Sequence, residues 1–131
     1  MTIAGAHTVG APDGGPGMPG TAWSREHGDL RVPHFLGLHA LQILPVIAVF
    51  LRRVTSAPTR QRVVFVAAAS YISVFGILLA QALNGQPVLE PRGPIVTAMI
   101  LWLGATSVSL AIVLVSGRHA VMTNPVKGMV W

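Results

Sequence analysis

This 131-residue chain contains no cysteine, only four acidic residues, and charged side chains at just 10 % of positions. Without cysteine there is no disulfide, thiolate zinc site, iron–sulfur cluster or thiol nucleophile within the chain. A soluble domain carries charge at roughly a quarter of its positions. One this poor in charge, and 52 % hydrophobic, has too few polar side chains to cover its own surface. The net charge of +5 raises nucleic-acid binding as a function. The basic residues flank apolar runs instead of forming a patch interleaved with aromatics, and that reading fails. Residues 1–20 carry neither the basic segment nor the apolar stretch of a signal peptide.

What the chain does have is three long apolar runs. Residues 1–31 come first, a Gly- and Pro-rich stretch densest between Gly10 and Gly20. Proline removes amide donors and glycine raises the entropy cost of ordering, so neither a helix nor a central strand is expected there. The reading is a structured loop or an arm on the membrane surface, with Trp23 suited to the headgroup layer. Helices are expected over about 32–51, 63–83 and 95–116, joined by loops of about ten residues. Each is about twenty residues or more, and twenty residues at 1.5 Å each reach about 30 Å, a bilayer core. Asp29 and Pro33 suit a helix start, and Pro45 suits a kink inside the first span. The fold class expected is therefore all-α, an integral membrane bundle of three transmembrane helices with a short tail.

The distribution of charge predicts an orientation. Arg52, Arg53, Arg60 and Arg62 follow the first run, and Arg118 and Lys127 follow the third, with no acid in either segment. Those six of the nine basic residues fall on one alternating side. The opposite side holds Arg25, Arg31 and Arg92 and every acid. The positive-inside rule then places the N-terminus and its arm outside and the C-terminus in the cytoplasm.

Inside the spans, His39 is the most informative residue, about 9 Å along the helix from Pro33 at 1.5 Å per residue. Gln42 lies three residues on and shares its face. Polar groups at such depth point into protein, and Ser73, Gly76, Trp102 and Thr106 are partners at matching depth. The expectation is a polar cluster of His39, Gln42, Ser73 and Thr106. As a functional residue, His39 with Gln42 would hold a cofactor, as an axial ligand to haem iron or chlorophyll magnesium. As a structural one, His39 would bond a neighbouring helix. His34 lies about 140° round the helix from it, so a second axial ligand has to come from another subunit. A metal set of Asp29, His34 and His39, with His7 or Asp13, has spacings that fit no helical face. Ser70, Ser73, Ser107 and Ser109 read as packing and backbone-bonding residues, with no paired acid to orient a base. The Gly-rich arm has no phosphate-loop lysine.

Two stretches, Asp13 to Gly20 with Trp23 and Gly28 to Gln42 (GDLRVPHFLGLHALQ), resemble the C-terminal half of a group of uncharacterised bacterial multi-pass membrane proteins. The resemblance covers about residues 7–53. It implies that the arm, Asp29, Arg31, His34, His39 and Gln42 form one unit in a bacterial cytoplasmic membrane. It also implies further helices upstream of the arm. Either Met1 is then a misplaced start, or a partner supplies those helices.

The sequence thus leads to a non-enzymatic small membrane subunit beside a larger respiratory or photosynthetic complex. Its expected partners are the lipid bilayer and other membrane subunits, without nucleic acid. The alternatives are a haem- or chlorophyll-binding transfer subunit using His39, and a partial chain of a larger transporter or membrane enzyme.

Overall fold

The computed structural model describes residues 7–13, 15–53 and 55–122, with the backbone alone for 118–122. Met1 and the tail with Lys127 lie outside the described residues. Among the described residues the regular structure is helical apart from a short strand pair in the arm, β1 (Thr8–Val9) and β2 (Gly28–Asp29). The helices are α1 (Arg31–Leu51), α2 (Ala57–Leu83) and α3 (Pro94–Met122). All three are long and apolar enough to cross a membrane.

The apolar runs form helices because their own backbone bonds must be satisfied without water. The helices outrun those runs at two ends. α2 starts at Ala57, six residues before the expected Val63, because Ser56 takes the extended geometry of a cap and Pro58 fits the first turn. Arg60, Gln61 and Arg62 carry the helix through a polar stretch. The connection from α1 is consequently five residues, 52–56, rather than ten. α3 likewise continues past Ser116 to Met122.

α2 is the central element, packed against α1 on one side and α3 on the other, while α1 and α3 scarcely meet. The arrangement is an open row, and large apolar side chains cover its outside. Leu41, Phe50, Phe65 and Ile72 are each more than two-thirds exposed. In water such a surface would be costly; in hydrocarbon it is at home.

The deepest burial is at the arm end of the row. β1 pairs with β2 antiparallel, Thr8 opposite Asp29 and Val9 opposite Gly28. Gly28 presses against the last turn of α2, where a side chain would collide with the Ala82 carbonyl. Gln81 is 1 % exposed, and its side-chain amide donates to the Pro87 carbonyl at 2.6 Å. Arm, α2 end and second loop therefore close over one small core with Val32, Ala82 and Ile95.

Candidate functional site

Asp29 organises the arm. It is 3 % exposed, and its carboxylate accepts the amides of Ser24 and Arg31, both at 2.9 Å. The Arg31 guanidinium closes a salt bridge on it at 2.6 Å and also donates to the Ala22 carbonyl. Burial alone would push the Asp29 carboxyl up. The Arg31 side chain and the two amides outweigh that, and it sits below the usual carboxylate range. The Arg31 amide is one of the unpaired donors at the start of α1, so Asp29 caps the helix from two residues away. Asp13 plays a similar part further out. Its carboxylate accepts the Thr8 amide at 2.8 Å and the His7 amide at 3.2 Å. The side-chain and backbone bonds with Thr8 are the main cause of its lowered pKa.

His39 sits half-buried on α1, and its Nδ1 lies 2.8 Å from the Phe35 carbonyl. A carbonyl only accepts, so Nδ1 is the donor, and in the neutral ring the lone pair then lies on Nε2. The Phe35 ring lies beside the imidazole with centroids 4.0 Å apart, and Trp23 of the arm meets Phe35 edge-on at 5.8 Å. Gln42 is exposed, and among the described residues its amide has no partner.

The rotation of α1 explains why. Leu36 and Gly37 mark its α2 side, where the Leu36 carbonyl accepts the Tyr71 hydroxyl at 2.7 Å. A side chain on Gly37 would come within 3.2 Å of the Phe75 ring. At about 100° per residue, Gln42 lies half a turn away from them. It is the twelfth of the 21 residues of α1, close to mid-length, and directed away from α2.

The expected cluster of His39, Gln42, Ser73 and Thr106 does not assemble. Ser73 turns to its own helix and donates to the Ala69 carbonyl at 2.9 Å. Ser70 is the residue that gathers the others. The Trp102 indole N–H donates to its hydroxyl oxygen at 2.9 Å and its carbonyl at 3.0 Å, and the Thr106 hydroxyl lies 3.1 Å from its Oγ. These contacts lie at the base of an open groove of about 410 Å³ between α2 and α3. Trp102 and Thr106 were legible as partners for a polar residue at their depth; that the residue was Ser70 was not.

No family model, no curated protein and no solved structure matches this chain. The site must speak for itself. Among the described residues no three of His, Asp and Glu come together in a way that could hold a metal ion. His34 is exposed on the first turn of α1, and Asp29 is saturated by Arg31 and Ser24. Among the described residues two chemically distinct places remain in the spans, the Ser70–Trp102–Thr106 contact, which joins α2 to α3, and the His39–Gln42 face, which is turned away from α2.

Proposed function

We propose that this chain is a non-enzymatic membrane subunit that packs laterally, through the outer face of α1, against helices of a larger assembly. It crosses the bilayer three times in a bacterial cytoplasmic membrane, with the arm outside and the Arg52–Arg62 segment, the turn and the first residues of α2, in the cytoplasm. The short turn and the first turns of α2 support that topology, since together they hold Arg52, Arg53, Arg60 and Arg62 at one end of the row.

The observation that carries the proposal is Gln42. A carboxamide at mid-span facing hydrocarbon would leave two donors and an acceptor unpaired, each at a cost of several kcal/mol by the order of such transfers. Polar residues inside membranes therefore face protein. Since α2 lies on the opposite side, that protein is not among the described residues of this chain. An open row of three helices with α1 and α3 scarcely in contact also encloses no transport path of its own. Purification in a mild detergent followed by native mass spectrometry tests this. The chain is expected to travel in a larger species that Gln42→Leu weakens. A monomer under every gentle condition would contradict it.

One observation favours a second reading. Because Nδ1 of His39 is held by Phe35, the neutral ring would present its Nε2 lone pair in a fixed direction, as a ligand to a tetrapyrrole metal would require. An absorption spectrum of protein taken gently from its native membrane decides it. A Soret or chlorophyll band lost in His39→Ala would establish the cofactor; aromatic absorption alone would leave His39 as a surface residue.

A further inference from the structure

We infer that the partner on the outer face of α1 is a second copy of this chain, in a parallel two-fold pair centred on Gln42. The inference rests on the docking role proposed above and names its occupant.

Phe35, His39, Gln42, Val46 and Val49 follow one another along α1 at intervals of four, three, four and three. That is the seam spacing of two helices wound left-handedly about each other. The seam lies opposite α2, and its apolar members Phe35, Val46 and Val49 are at least half exposed. Beyond Gln42 the face is hollowed beside Pro45. The hollow of about 540 Å³ is lined by Pro45, Val46, Val49, Phe50 and Arg53, and has room for side chains of a facing helix.

The chemistry of the amide selects the occupant. An apolar partner helix would cover Gln42 and leave it unpaired. A suitable partner has to present a group that both donates and accepts, at the same depth and on the facing side. A second copy meets all of these conditions by construction. It inserts in the same direction to the same depth, so Gln42 meets the other Gln42 across the axis. Each carboxamide then donates one N–H and accepts one, as amides do between membrane helices. No acid lies on this face to ask for a basic partner. Arg53 follows the end of α1 at Leu51, where water and salt screen one guanidinium from the other.

The absence of cysteine from the chain makes the test direct. Single variants Val46→Cys, Val49→Cys, Leu44→Cys and Leu103→Cys are oxidised in native membranes in the full-length chain. A disulfide-linked species of twice the chain mass is expected at Val46 and Val49, and not at Leu44 or Leu103. In the Val46→Cys background, Gln42→Leu is expected to reduce that species about tenfold, as loss of an interhelical amide bond of about 1–2 kcal/mol implies. Gln42→Asn should retain most of it. If Val46→Cys links only to a different, heavier protein, the second copy is overturned and the docking role stands. If neither adduct forms and the cysteine is freely reached by a lipid-soluble maleimide, both are overturned.

Discussion

The indole N–H of Trp102 on α3 reaches the hydroxyl oxygen of Ser70 on α2 at 2.9 Å. Ser70 is the fourteenth of the 27 residues of α2, so this bond ties the two helices at mid-span, where water does not compete. Interhelical bonds of this kind contribute on average about 0.6 kcal/mol and up to about 1.7. Because Ser70 serves both Trp102 and Thr106, Ser70→Ala is expected at the upper end, about 1.5 kcal/mol less stable. Ser73→Ala, which removes only a bond within α2, should be close to neutral. Reversible unfolding in mixed detergent micelles measures both.

Gly28 has no room for a β-carbon, since the Ala82 backbone occupies its place. Gly28→Ala should therefore lift the arm from the end of α2 at a cost of about 3 kcal/mol, the upper range for overpacking. Gly15→Ala, which meets nothing within 4 Å, should leave the arm as it is. Hydrogen exchange at the Leu30 amide, which donates to the His7 carbonyl at 2.9 Å, reports the difference.

Asp29 makes the arm sensitive to acid. Its carboxyl is lowered in the folded chain, so its contribution is fully present above the ordinary carboxylate pKa and is lost as pH falls through the folded value. Exchange of the Ser24 and Arg31 amides should thus be slow from neutral pH down to the usual carboxylate range, then quicken as the acid is protonated. Asp29→Asn should give fast exchange at neutral pH and remove the acid-induced step.

The three spans were legible because an uninterrupted apolar run of twenty residues has few other fates. Depth was legible too, since rise per residue fixes how far His39, Ser73 and Thr106 lie along their helices. Rotation was not. The spans are apolar all round, so hydropathy gives no phase to say which side of α1 meets α2. Residues sharing a depth need not share a face, and His39 and Gln42 prove to lie away from Ser73 and Thr106. Ser70 read as one packing serine among several, and nothing local marks it as the one opposite Trp102. The early start of α2 was hidden because an apolar criterion stops at Arg62, while backbone bonding does not. Asp29 and Arg31 join the arm to the start of α1 through their salt bridge and the capped Arg31 amide.

The central claim is that protein, not lipid, covers the α1 face around Gln42. A nitroxide placed at Val46→Cys or Val49→Cys and read by electron paramagnetic resonance in native-like membranes tests it most directly. Collision with dissolved oxygen, which concentrates in the hydrocarbon, should be low at both positions and high at Leu103→Cys, on the exposed side of α3. Equal, high oxygen collision at Val46, Val49 and Leu103 would show that α1 faces lipid, and would contradict the account.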